Sequence, residues 1–129
     1  MRHIPLIARV LLGLIFFVFG LNGFFHFIPQ PPPPPAAGAF AGALLATGYF
    51  FPLLKTVETL SGALLLVGRY VPLALAALAP IVVNILAFHA FLYPGGIGVP
   101  LLVIVLEVFL AWSYRSSFKP MLNPNAKPG

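Results

Sequence analysis

Long runs of apolar side chains, interrupted by very few charges, dominate this 129-residue chain. Only 7% of the residues are charged and 60% are hydrophobic, whereas a soluble domain usually carries about 25% charged residues. A chain with this composition could not cover a water-exposed surface with polar groups, so we expect most of it to lie in lipid. The sequence therefore predicts an all-α integral membrane protein with one four-helix transmembrane domain over residues 1–115.

The apolar runs predict four membrane crossings. A bilayer core of about 30 Å needs about 20 helical residues. The second run is short for a full crossing, so the segment before it is expected to complete that crossing. A secretory signal peptide is the competing interpretation of the first run, but no A-x-A-like site follows it. The four predicted crossings are about 4–21, 52–68, 71–92 and 99–114.

The segment between the first two crossings is of a different kind. A proline-rich loop over 29–35 cannot form the interior of a helix, because proline lacks the backbone N–H group. A short or re-entrant helix is predicted over 36–51, where Gly38 and Gly42 form a small-residue face that suits close helix packing. At the other end of the chain, we expect residues 116–129 to form an extended, polar, cytoplasmic tail.

The basic residues predict the orientation of the four crossings. Lys and Arg occur near the N-terminus, in the loop between the second and third crossings, and near the C-terminus, which share one side of the membrane in a four-crossing topology. The loops over 22–51 and 93–98 contain neither. The positive-inside rule then places both termini in the cytoplasm. The basic residues on that side are Arg2, Arg9, Arg69, Arg115, Lys119 and Lys127.

Several function classes are excluded by the residues that the chain lacks. The net charge of +5 does not indicate nucleic-acid binding, because the cations are scattered and form no patch with interleaved aromatic residues. The absence of cysteine excludes disulfides, thiolate metal sites and thiol redox chemistry in this chain. The absence of aspartate excludes a Ser-His-Asp triad.

A few polar residues lie at depths where lipid-facing helices do not carry them. Glu58, Asn84 and Glu107 lie about 9, 12 and 13 Å from the outer ends of their predicted helices. Polar and charged groups at such depths normally face a bundle interior or a wet cavity. Three helices therefore place a polar group at similar depth, in the outer half of the bilayer.

More polar residues are predicted above this layer. Lys55 shares a helix face with Glu58 because the two are three residues apart, while His89 and His26 lie nearer the outer surface. Two interpretations stay open for this polar cluster: it holds the helices together through hydrogen bonds, or it forms an outward-facing cavity that handles protons or binds a ligand. The candidate site residues are Lys55, Glu58, Asn84, His89, Glu107 and His26.

The cofactor is left open by these residues. His26 and His89 do not by themselves favour haem, since bis-His ligation needs opposed geometry, and a metal site of His and Glu is not favoured either. No catalytic set of residues is predicted, and no independent catalytic activity is expected.

The order of features resembles the DoxX family of small four-helix bacterial membrane proteins. The matching stretches are "RVLLGLIFFVFGLNGFFHFIP", "ATGYFFPLLKTVETLSGALLLVGRYVPLALAALAPIVVNILAFHAFLYPGG" and "LEVFLAWSYRSSFKP", which together cover nearly all the chain. The resemblance implies a multi-pass protein of the bacterial inner membrane, and the family name comes from subunits of quinone-linked sulfur oxidation. A bound quinone is therefore one possible cofactor.

Three functions follow as hypotheses. The first is an accessory or structural subunit of a larger redox-linked complex, such as a respiratory or other electron-transfer assembly, in contact with lipid and with other membrane subunits or further copies of itself. The second is an independent quinone-interacting redox protein. The third is a small proton-coupled transporter that uses Glu58.

Overall fold

A computed structural model of the chain describes residues 3–129 and contains only helical secondary structure there. Arg2, one of the basic residues used to predict the orientation, lies outside the described residues. Short 3-10 turns occur at Pro94–Gly96 and Lys119–Leu122. The α-helices are α1 (His3–Phe25), α2 (Pro35–Ala46), α3 (Phe50–Val67), α4 (Val71–Leu92), α5 (Gly98–Ser113) and α6 (Arg115–Phe118).

Four of these helices form a closed bundle. α1 packs against α3, α3 against α4, α4 against α5, and α5 against α1. α1, α3 and α4 are long and apolar enough to cross a membrane, and α5 adds a fourth crossing if it is counted with the bent segment that follows it. The predicted all-α membrane bundle is confirmed. On α3, Leu53, Leu60 and Val67 are exposed at seven-residue spacing and form an apolar stripe on the outside of the bundle.

The closest helix pair is α1 and α3, and glycines make the approach possible. A Cβ atom added to Gly62 would lie 2.5 Å from the backbone nitrogen of Phe17 and 2.8 Å from the carbonyl oxygen of Gly13. A Cβ atom on Gly20 would likewise overlap Thr59. In membranes, where lipid is as apolar as the side chains, such close backbone packing is a main source of helix association.

The small-residue face predicted on the short helix has no such contact within the chain. A Cβ atom on Gly42 would meet nothing within 4 Å among the described residues, and one on Gly38 would meet only the ring of Pro33, at 3.6 Å. Small residues show where two backbones can approach, but they do not identify the helix that approaches.

The short helix α2 ends five residues before the predicted boundary. Gly48 adopts a left-handed backbone conformation, with φ of 79°, which interrupts the helix. The hydroxyl of Thr47 then accepts a hydrogen bond from the N–H of Phe50, the first residue of α3, at 3.3 Å. Phe50 and Phe51 therefore belong to α3, and α2, which is about 18 Å long, is too short to cross a bilayer.

The hydrophobic core fills only one half of the bundle. Its buried members come from the first part of α1, the end of α3, the first part of α4 and the second part of α5, which lie together because neighbouring helices run antiparallel. Arg9 of α1 reaches this end and donates a hydrogen bond to the carbonyl of Leu65 in the last turn of α3, where the helix leaves carbonyl groups without partners. The fully buried large side chains are Leu12, Leu65, Leu75, Leu78, Leu110 and Val82.

A candidate ligand cavity in the open half of the bundle

The other half of the bundle encloses a cavity of about 450 Å³. Its walls come from the second part of α1, the start of α3, the end of α4, the start of α5 and one face of α2. Small-molecule sites usually have volumes of about 300–1,000 Å³ and predominantly apolar walls with a few placed polar groups. Its aromatic walls are Phe16, Phe19, Phe40, Phe50, Phe51, Phe88 and Tyr93, and its polar residues include Gln30, Lys55, Glu58, Asn84 and His89.

An ion pair between Lys55 and Glu58 lies on the α3 wall of this cavity. Lys55 Nζ donates a hydrogen bond to Glu58 Oε1 at 3.1 Å, as the three-residue spacing predicts. Glu58 is only 3% exposed, whereas Lys55 is partly exposed. Gly23 of α1 makes room for the lysine, because a Cβ atom there would overlap its aliphatic stem. Lys55 therefore gives the buried Glu58 carboxylate a cationic partner, and a buried charge without a partner would strongly destabilise the fold.

His89 lies on the α4 wall and has a defined proton position. Its Nδ1 atom lies 2.8 Å from the carbonyl oxygen of Ile85. Because a carbonyl oxygen only accepts hydrogen bonds, Nδ1 carries the hydrogen, and Nε2 of the neutral ring is left as an acceptor. Tyr93 stacks on the imidazole with ring centroids 5.7 Å apart. The ring is thus held in place on two sides.

Asn84 joins the cavity from a position deeper along α4. It is exposed and lines the cavity, so its amide can both donate and accept hydrogen bonds there. Counted from the end of α4, it lies about 12 Å deep, and Glu58 lies about 12 Å from the start of α3. The similar depth predicted from the sequence therefore brings these two residues to the same cavity.

Glu107 lies at the same level but does not line the cavity. It follows Val103 by one turn on the same face of α5, so it lies one helical turn beyond a residue of the cavity wall. Glu107 is 6% exposed, and its Oε1 atom has no hydrogen-bond partner among the described residues. Buried polar atoms without partners are rare in proteins, so this carboxyl group is a polar feature that packing alone does not explain.

His26 belongs to a second, neighbouring cavity of about 530 Å³. It is exposed, with a left-handed φ of 53°, at the point where the chain leaves α1. Asn22 shapes this exit, since its Oδ1 atom accepts a hydrogen bond from the N–H of Ile28 at 2.7 Å. Lys55 lines both cavities and stands between them. His26 and His89 thus lie in different cavities. This could not be predicted from the sequence, because residue spacing does not determine the direction of the backbone after a helix ends.

The phenylalanine walls and the role of α2 could not be predicted from the sequence. Phe40, Ala41 and Leu44 of α2 line the cavity, and Phe40 packs against Phe88 of α4 with ring centroids 5.8 Å apart. α2 is apolar on all sides, so no periodic pattern could identify the face that turns inward. Its position on the cavity wall therefore depends on tertiary packing alone.

The arrangement can bind a flat, mostly apolar molecule with a few polar atoms. The Lys55 ammonium group has three donors, of which one is used by Glu58, and His89 Nε2 offers an acceptor. Aromatic side chains surround these groups and can contact a ring on its faces. Within residues 3–129, no group of three or more His, Asp or Glu side chains could hold a metal ion.

Comparisons with known proteins address the family of the chain. Searches of curated proteins and of solved structures found no match. The family model for DoxX matches residues 4–91, about two thirds of the chain. The match covers α1 to α4 except for His3 at the start of α1 and Leu92 at the end of α4. This match includes Lys55, Glu58 and His89, and with the apolar helices it supports a multi-span membrane protein. The chain belongs to the DoxX family.

Proposed function

We propose that this DoxX-family protein holds a quinone-type ring in the 450 Å³ cavity and acts as an accessory subunit of a redox-linked complex in the bacterial inner membrane. The observation that carries the proposal is the placement of Lys55, Glu58, Asn84 and His89 on the walls of one aromatic cavity. A purely structural polar cluster would have its groups paired with one another, whereas Asn84 is exposed to the cavity.

The polar groups complement the head group of a quinone or quinol. Lys55 can donate to a carbonyl oxygen, and His89 Nε2 can accept from a hydroxyl group. When bound, a quinone supplies a two-electron, two-proton redox couple. The residues of this chain bind the ring, orient its oxygen atoms and exclude water from its faces.

The open face of α2 supports an accessory role beside another subunit. The surface of α2 around Gly42 is open, and a neighbouring helix could approach it closely.

The distribution of Arg9, Arg69 and Arg115 supports cytoplasmic termini.

Equilibrium binding of a short-tailed quinone to the purified protein in nanodiscs tests the site. We expect saturable binding that weakens about tenfold in Lys55→Met and in His89→Phe, the effect of one lost hydrogen bond to a charged or buried group. Matched controls remove the same side chains elsewhere: Lys127→Met in the tail and His3→Phe at the exposed start of α1. Equal affinities of all four variants would contradict the site.

Native mass spectrometry after gentle solubilisation from the source membrane tests the accessory role. We expect the chain to appear with larger subunits and with a retained quinone mass. A chain that appears only alone or as a homo-oligomer would contradict the accessory role. In that case, proton-driven uptake into proteoliposomes, abolished by Glu58→Gln, would support the transporter hypothesis instead.

A further inference from the structure

The segment that follows α5 turns sharply away from the bundle axis. Arg115–Leu122 makes an angle of 76° with Gly98–Ser113. Tyr114 and Phe118 pack against the hydrophobic core, so the direction of the turn is fixed by packing. If α5 alone, about 24 Å long, makes the fourth crossing that the sequence predicts over 99–114 and lies along the membrane normal, this segment lies nearly in the plane of the membrane surface.

Two cations on this segment are exposed and lie one helical turn apart. Arg115 lies over the ring of Trp112, with the guanidinium carbon 4.2 Å from the ring centroid. One of its N–H groups donates to the Trp112 carbonyl at 2.9 Å, which leaves further donors of the planar fork. Lys119 follows one turn later, with its N–H bonded to the carbonyl of Arg115. No acidic residue follows Glu107 in the sequence.

Large apolar side chains flank these cations and are also exposed. Trp112, Met121 and Leu122 are 61%, 69% and 78% exposed. Tryptophan favours the membrane–water boundary, because its apolar ring can contact lipid there while its N–H group is hydrated. Interfacial segments combine such apolar anchors with Lys and Arg, and they lie in the boundary between head groups and acyl chains.

We propose that residues 112–122 form a binding site for the head group of an anionic phospholipid. Arg115 and Lys119 bind the phosphate group, the Arg115 fork with two parallel N–H donors. Trp112, Met121 and Leu122 enter the glycerol and acyl region beside it. A free phosphate ion would use the cations but would leave these apolar side chains in water, so the apolar flank favours a lipid.

The protein carries its own probe for this site, because Trp112 is its only tryptophan. The full chain is reconstituted in vesicles of phosphatidylglycerol and phosphatidylcholine, with bromine labels on the acyl chains of one lipid or of the other. Brominated lipid quenches tryptophan on contact, so the ratio of the two quenching efficiencies reports the lipid preference next to Trp112. We expect preference for the anionic lipid by about fivefold per cation, and its loss in the double variant Arg115→Gln, Lys119→Gln.

The matched control removes one cation from the same tail without touching the site. Lys127→Gln lowers the net charge as much as Lys119→Gln does, but Lys127 lies beyond the segment. We expect Lys119→Gln to weaken the anionic preference and Lys127→Gln to leave it unchanged. Equal losses in the two variants would show a general charge effect and would overturn the site.

Two further outcomes would also overturn the proposal. Absence of quenching by either brominated lipid would place Trp112 outside the bilayer boundary. Suppression of the anionic preference by inorganic phosphate, at an ionic strength matched with chloride, would show that a free anion is the ligand.

Discussion

Lys55 Nζ and Glu58 Oε1 lie 3.1 Å apart on α3, at the level where the packed half of the bundle gives way to the cavity. The carboxylate is buried, and the ammonium group stands on the wall that two cavities share. The pair therefore both stabilises the fold and presents free donors to the cavity. The first prediction separates these two roles.

Replacing Lys55 by Met should destabilise the protein by about 1–3 kcal/mol, because the buried Glu58 carboxyl group loses the only hydrogen-bond partner that it has among residues 3–129. The double variant Lys55→Met, Glu58→Met should recover part of this loss, since both polar partners are then replaced by apolar groups. Unfolding in detergent, followed by circular dichroism, measures both free energies. A double variant that is less stable than Lys55→Met would contradict this account.

Gly62→Ala should destabilise the bundle by about 1–3 kcal/mol, because its new methyl group would meet the backbone of Phe17 and Gly13. The matched control is Gly42→Ala on α2, where nothing lies within 4 Å of the added atom among the described residues. Alanine favours helix over glycine at both positions. We expect the free energy of unfolding to fall in Gly62→Ala and to stay equal or rise in Gly42→Ala. Equal losses in the two variants would contradict the close packing of α1 and α3.

Asn22→Ala should loosen the chain where it leaves α1. The Asn22 Oδ1 atom accepts the hydrogen bond of the Ile28 N–H group, and its loss leaves that donor without a protein partner. We expect hydrogen exchange at Ile28 to accelerate at least about fivefold, the equivalent of about 1 kcal/mol. Asn123→Ala removes a similar but exposed bond to Asn125 and serves as the control. Unchanged exchange at Ile28 would show that the bond does not hold this loop.

Glu107→Leu tests whether the second buried acid only holds helices together. Its Oε1 atom has no partner among residues 3–129, so replacing the carboxyl group by an apolar side chain should leave the free energy of unfolding unchanged or raise it. A loss of stability of more than about 1 kcal/mol in thermal or chemical unfolding would identify a structural hydrogen bond at Glu107. Unchanged stability together with a changed quinone affinity would instead connect Glu107 to the cavity.

Much of the fold and part of the candidate site could be predicted from residue spacing. Lys55, Glu58, Asn84 and His89 meet at one cavity because antiparallel helices bring residues of similar depth together. Glu107 has the right depth but does not line the cavity, since depth along a helix does not fix which groups a side chain contacts.

The remaining differences have physical causes of the same kind. The close packing of α1 and α3 uses Gly20 and Gly62 rather than the small-residue pair on α2, and these glycines lie in separate apolar runs. The aromatic walls could not be predicted, because in lipid a phenylalanine is equally at home outside the bundle and inside it. The sequence pattern therefore predicts the positions of the rare polar residues better than those of the common apolar residues.

The division of the bundle into a packed half and an open half has a consequence for how the chain can change. Substitutions among the cavity walls, such as Phe40 or Phe88, remove few of the contacts that hold Leu12, Leu75 and Leu110 in the core. The shape and polarity of the cavity can therefore change in one half while the other half maintains stability. Because stability limits which mutations a protein tolerates, this arrangement would let the cavity walls vary with little risk of unfolding.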